Sequence, residues 1–537
     1  MTRTPFCPWP RSGRPAPVLR QAHLPERSRR VGGRGPLPGV APLRAYGRGG
    51  RSAARGVALI VVLWVMVILS FLCVSFTREM VLEAESSRYF VDQAQAQLAA
   101  ASAVARARIA LATYQGDPSD PSAGLLLDNP GEFRWVPLTE ETGRTWGSSP
   151  AASLASRRAG SVAPSEAYYS LVGKRYDSDD DLAFGLIDEA AKLNVNTASW
   201  ESLARLPEMT DELAQAIVDF RDADSDPLPY GAEDEYYETL EQPYRAKNAP
   251  FETLEELLLV KGINSAMLYG EDTNQNGVLD PWENDGNAST PDDDQDSELD
   301  RGLAAYVTVY SSEPNVNSAG EARLNLTTAS REEVQEALSQ GMSSNLVDQV
   351  CSVLFPTGGP GGEGTGSDAG GQQSAQSETM ANLLVRVPAL LERENRQALA
   401  YLLDVATVSE EEAFPGLVNV NTAPTSVLAA LPGFDEDVAE AIDAYRKQGG
   451  ADFSSVVWLL DVEAVGPVRF LQQLPLITAR SFRYRVHAVG VAGQRHVFRR
   501  LEVVLDRSQP EVPPVFWRDV TDWGVPFDFV AEAGEAQ

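Results

Sequence analysis

Twenty consecutive residues without a charge, residues 57–76 (VALIVVLWVMVILSFLCVSF), constrain this chain more than any other feature. At about 1.5 Å per residue they form a helix of roughly 30 Å, the thickness of a bilayer's hydrocarbon core. A buried core helix rarely stays apolar on all sides for so long. A cleaved secretory signal is the stronger rival, and it predicts a small-x-small motif followed by a break in the helix. Instead, helix-compatible sequence continues to Tyr114 with no Gly or Pro after Val57. Val81, Ala84, Val91, Ala94, Leu98, Ala101, Ala105, Ile109 and Ala112 recur at helical steps, interrupted by Arg88. The pattern predicts one helix over residues 57–114, with 57–76 in lipid and the later half packed on the body through that stripe.

Charge sets the orientation. Residues 1–56 contain twelve Arg, no Lys and one acid, Glu26, a net charge of +11. The remainder holds 33 basic and 75 acidic residues, a net charge of −42. The positive-inside rule keeps the basic leader in the cytoplasm and sends the acidic body across the membrane. Such a body repels nucleic acid and anionic lipid headgroups, and it attracts cations. Cys7 and Cys73 lie in the leader and the apolar run, leaving Cys351 alone in the body and excluding a disulfide within it. With His23, His487 and His496 the only histidines, histidine-based catalysis and zinc binding have little to work with. No Ser/His/Asp set, phosphate loop or Cys/His cluster suggests an enzyme; paired carboxylates are the one enzymatic chemistry left open.

A chain of 537 residues exceeds one compact domain. Residues 133–138, 167–174 (AYYSLVGK) and 182–188 (LAFGLID) read as strands. From Ala190 the period becomes helical. Two β segments, 482–491 and 496–505, flank Gly493 as a hairpin does. Between lies an internal repeat: residues 193–217 (LNVNTASWESLARLPEMTDELAQAI) align without gaps on 418–442 (VNVNTAPTSVLAALPGFDEDVAEAI). A second block follows each, 251–263 and 453–465, and a degraded third copy starts at Leu324. Asn196 or Thr197, and Asn421 or Thr422, are the expected caps of the first helix of each copy, with Asp211 and Asp435 capping the second. Pro207 and Pro432 end the first helix. This is helix-hairpin-helix, SAM-like architecture. DNA-binding hairpins present Gly–apolar–Gly to a phosphate, whereas Glu208-Met209-Thr210 and Gly433-Phe434-Asp435 lack the second glycine and carry acids. A structural role for the hairpins is the stronger expectation.

The sharpest chemical motif is residues 272–283, DTNQNGVLDPWE, which fits the calcium-loop pattern D-x-[DN]-x-[DN]-G-x5-E. Calcium takes six to eight oxygen ligands in flexible geometry. Asp272, Asn274 and Asn276 supply side-chain oxygens, Val278 its carbonyl, Asp280 a direct or water-mediated contact, and Glu283 a bidentate carboxylate. The acids of 292–300 can serve a second ion. The competing reading is a solvated acidic loop.

Taken together, these pieces resemble the type II secretion system protein K family, the minor pseudopilin K of the general secretion pathway. The resemblance runs from Arg55 to about Asp506 and rests on ARG-VALIVV, the long helix, the NVNTA repeats, the second blocks and the final β segments. It implies an α/β pilin-like body on a long N-terminal transmembrane helix, with an inserted, mainly α-helical domain of helix-hairpin-helix type. It implies removal of the leader by prepilin peptidase between Gly56 and Val57, so that the position where other pilins carry Glu is Val61. It also implies bound calcium, a non-enzymatic role at the tip of a periplasmic pseudopilus, and anchoring in the inner membrane. The partners implied are minor pseudopilins I and J, then H and the major pseudopilin G, with no nucleic acid. The expected divisions are a leader (1–56), the helix (57–114), the first part of the body (115–189) and a helical insert (190–410). That insert holds the calcium loop and a Gly-rich tract at 356–377. The second repeat with the C-terminal strands (411–507) and a Pro-rich acidic tail (508–537) complete the chain. The alternative is a membrane-anchored helix-hairpin-helix DNA receptor of a DNA-uptake system, which the acidic body opposes.

Overall fold

The computed structural model describes residues 54–113, 126–138, 167–174, 182–272, 274–275, 279–286, 288, 299–356, 379–448, 450, 452–493 and 497–524. The chain separates into two compact units, Met1–Glu79 and Met80–Gln537. Described residues of the first are entirely helical, and its apolar side chains from Leu59 to Phe76 are exposed. They belong to α1 (Ala54–Thr113), which Gly56 and Val57 enter in its first turn. The Gly-rich tract lies outside the described residues.

In the second unit a sheet is built from β1 (Val136–Pro137), β2 (Ala167–Lys174), β3 (Leu182–Ala183), β4 (Ile187–Asp188), β5 (Arg483–Ala492), β6 (Val497–Asp506) and β7 (Pro514–Asp519). The order is β1-β2-β5-β6-β7, with β3 on β2 and β4 on β5, and every pairing is antiparallel. Gly493 turns the β5–β6 hairpin at φ +72°. Three expectations need correction. Residues 133–138 are not one strand, because Pro130 starts a short helix, Pro130–Phe133, that precedes β1. The strand expected at 182–188 is broken into β3 and β4. The expected tail contributes β7, whose pairing with β6 shifts register between Val504 and Leu505.

The packing of α1 also differs from expectation. Its buried face is Ala96, Ala99, Ala100, Ala103, Val104, Ala107, Ala110 and Leu111, over Leu171, Val486, Ala488 and Val503 of the sheet. The bulkier row read from the sequence, Val91, Leu98 and Ile109 among it, is exposed. Close approach explains the choice: a Cβ at Gly490 of β5 would fall on the Ala96 carbonyl and the Ala100 nitrogen. Only alanine-sized side chains fit where two backbones come so near. Arg106 reaches Glu132 at 2.7 Å, and Arg108 donates to the carbonyls of Glu511 and Val512 at 2.6 and 3.0 Å.

A separate apolar core runs continuously from Leu193 to Ala479. The boundary expected at 410/411 falls inside it, so all the repeats share one helical body and the C-terminal sheet strands begin after it. Buried carboxylates join that body to the sheet. Asp188 accepts from Ala190 N, Asn419 Nδ2, Thr422 Oγ1 and Ser481 Oγ at 2.8, 3.0, 2.6 and 2.5 Å. Glu189 takes Arg485 Nε at 2.6 Å and the Thr308 hydroxyl, while Arg485 also pairs with Glu502. Lys192 donates to the Ala304 carbonyl at 2.8 Å.

Two outcomes are expected of the detergent-solubilised full chain. Gly490→Val lowers unfolding stability by about 3 kcal/mol in a denaturant melt, because neither backbone can give way. Burial, opposed by Glu189, brings the Lys192 ammonium down to about 8 from 10.5. Between those values the unfolded chain binds the extra proton, so this group makes stability rise with pH. The melting temperature of Lys192→Met minus that of the wild type therefore falls between pH 7 and pH 10.

Candidate metal centre

The repeats position the acids. There are three full copies of one unit, opening and closing with parallel two-residue strands: Leu193–Asn194 with Val307–Thr308, Leu324–Asn325 with Ala406–Thr407, and Val418–Asn419 with Ile477–Thr478. The first Asn of each copy clamps this closure. Asn194 Nδ2 donates to Ser311, Asn325 Nδ2 to the Ser409 carbonyl, and Asn419 Nδ2 to Ser481 Oγ. The second Asn is not a cap. Asn196 exchanges two hydrogen bonds with the backbone of Phe251, and Asn421 donates to the Phe453 carbonyl, tying each first block to its second. Thr422 instead serves Asp188. Ser199 caps the first helix of copy one and Thr210 the second, one residue before Asp211; Asp435 caps as expected.

The hairpins are acidic. Glu208 and Gly433 hold matching left-handed turns at φ +58° and +81°. Asp211 and Glu212 follow one, Glu436 and Asp437 the other, at the first turns of helices Asp211–Arg221 and Glu436–Gln448. A phosphate there would meet carboxylates.

Beyond helix Asp211–Arg221 the chain makes a site that the spacing motifs did not reveal. Asp219, fully buried, accepts from the Leu228 amide at 3.1 and 3.3 Å and so folds the following loop back. Gly231 is required there, since a Cβ would strike Asp219 Oδ2. The fold-back brings Glu233 against Asp222 and Asp224, and ligand oxygens of the three lie within 4.8 Å of one another. Glu233 is 5% exposed, and both its oxygens, like Asp222 Oδ1, are buried without a hydrogen-bond partner. Burial and the neighbouring Asp219, Asp222, Asp224 and Asp234 push the Glu233 carboxyl up to about 7. Burial and Asp224 raise Asp222. Asn248 donates to the Asp224 carbonyl at 3.2 Å, and its own Oδ1 is buried and unpartnered. Asp224 is exposed and its Oδ1 accepts from the Asp226 amide at 2.9 Å, whereas the buried, donor-free oxygens of Asp222, Glu233 and Asn248 beside it suit a divalent cation of the calcium class.

The expected loop is partly described: Asn276 and Val278 lie outside the described residues. Asp272 and Glu283 are 1% and 2% exposed. Asn274 Nδ2 meets Asp280 Oδ2 at 2.8 Å, and the Asp280 amide donates to Glu283 Oε2 at 3.1 Å. Asp272, at the loop's entry, donates its amide to the Asp300 carbonyl at 3.4 Å.

Comparisons with known proteins fall on the same parts of the chain. Residues 187–269 match the family described as type II secretion system (T2SS), protein K, and residues 416–478 match the helix-hairpin-helix motif. No curated protein matches the chain. Among solved structures, the GspK–GspI–GspJ complex from the enterotoxigenic Escherichia coli type 2 secretion system is 14% identical. That alignment covers 81% of this chain and 99% of the other at a TM-score of 0.31. Among the described residues, one helix is long and apolar enough to cross a membrane. The segment similar to the type II secretion system (T2SS), protein K family spans β4, the first repeat's hairpin and the acidic fold-back.

Proposed function

We propose that this chain is a non-enzymatic minor pseudopilin at the tip of the periplasmic pseudopilus, where it starts or caps the fibre. The protein K segment at 187–269 carries this reading. An apolar helix anchors the chain in the inner membrane, with the acidic body in the periplasm. Prepilin peptidase cuts between Gly56 and Val57, which leaves Val61 where other pilins hold Glu; a subunit with no neighbour ahead of it can dispense with that charge. The pilin-like body contacts minor pseudopilins I and J, and H links this tip to the major pseudopilin G. The exposed row Val91, Leu98 and Ile109 supports lateral packing of α1 against such neighbours. Calcium is the proposed cofactor at two places: the carboxylates Asp222, Asp224 and Glu233, and the loop containing Asp272, Asn274, Asn276, Val278, Asp280 and Glu283. Cations that bind the folded state alone stabilise it.

Co-expression with minor pseudopilins I and J tests the assembly: a stable complex is expected, and a chain that never co-purifies with them sinks the tip role. N-terminal sequencing of the mature protein is expected to begin at Val57; a start at Met1 or beyond Phe76 contradicts the cleavage. Chelator is expected to lower the melting temperature of the wild type, and Glu233→Gln with Asp222→Asn to remove much of that dependence. In a gel shift at moderate salt, no retention of DNA is expected.

A further inference from the structure

Arg500 is a buried cation facing an expected cation site. It lies on β6 and is 1% exposed, with Nε and Nη1 lacking hydrogen-bond partners. Its Nη2 donates to the carbonyl of Gln275, inside the 272–283 loop. The guanidinium stands 5.6 Å from the Trp523 ring. Asp272 is the strongest opposing charge acting on it, followed by Glu502, and Glu502 is already paired with Arg485. Asp272, Gln275, Glu502 and Trp523 line one small cavity of about 60 Å³. A divalent ion coordinated by Asp272 would have to share that carboxylate with a fixed positive charge in a medium where water screens little.

We infer that Arg500 is an internal counter-cation that competes with calcium for the Asp272 loop and so sets the loop's affinity. The inference rests on the reading of 272–283 as a calcium loop. Without the ion, Arg500 offsets the Asp272 charge and donates to the Gln275 carbonyl. With the ion bound, the same charge opposes it. The loop therefore loads reversibly at higher calcium than its ligand set alone would require. The coupling is reciprocal, because whatever Arg500 takes from calcium affinity calcium takes from the Arg500–Asp272 attraction.

Terbium luminescence tests this locally, because Trp282 sits within the loop and can sensitise a lanthanide there. The full chain in detergent is loaded with terbium and titrated with calcium, with Trp282→Phe identifying the loop's share of the emission. Arg500→Gln is expected to bring the calcium half-point down about five-fold or more. Arg500→Lys, which keeps the charge, is expected to stay within about two-fold of the wild type. Arg500→Met replaces Arg500→Gln if the latter does not fold. An unchanged or weaker calcium affinity in the uncharged variants overturns the inference, as does equal tightening in Arg500→Lys. Absence of Trp282-dependent emission in the wild type instead removes the loop reading itself, and the inference with it.

Discussion

Two adjacent carboxylates, Asp188 and Glu189, sit without solvent where the sheet gives way to the helical repeats, and everything on either side depends on their being satisfied. A buried charge costs several kcal/mol unless paired and hydrogen-bonded. Asp188 meets that demand with donors from the third repeat, and Glu189 with Arg485 of β5 and Thr308 at the end of the first. Asp188 and Glu189 are thus fastened to residues that arrive between 119 and 296 positions later. Apolar packing alone would let the repeats slide over the sheet; directional bonds to fixed carboxylates fix one arrangement. Glu313 plays the same part between repeats, holding Arg323, Arg480 and Thr478.

What the sequence made legible follows from how local each determinant is. The β5–β6 hairpin was readable to within a residue because alternation and Gly493 are short-range signals. Two repeats were readable because NVNTA recurs unchanged. The middle copy looked degraded because the Gly-rich tract separates its hairpin from its second block, and because Thr327 stands where the other copies have the second Asn, the one that ties first block to second. The closing strands left a faint mark, an apolar residue followed by Thr at 307–308, 406–407 and 477–478. The α1 stripe was misassigned for a physical reason: two apolar rows coexist on that helix, and hydrophobicity ranks the bulky one higher. Close approach to Gly490 selects the alanines instead, and only the fold reveals that constraint.

The acid sites divide in the same way. Residues 272–283 form a contiguous motif and could be seen at once. Asp222, Asp224 and Glu233 become neighbours only through a loop that Asp219 folds back, so no fixed spacing announces them. A usable signal was present in hindsight: an Asp-x-Asp at a helix end, then a glycine two residues before an acid. Both places gather carboxylates that repel one another in isolation and would become ligand sets only with a cation between them.

The Asn clamps carry an evolutionary implication. Because each copy's ends are stapled together by a parallel pair, whatever lies between them behaves as a lengthened loop, and loop length adds free energy only logarithmically. The third copy spans Val418–Thr478, whereas the first stretches over Leu193–Thr308 and houses both acidic sites. A lineage can therefore enlarge one copy with new chemistry while its siblings go on holding the scaffold shut.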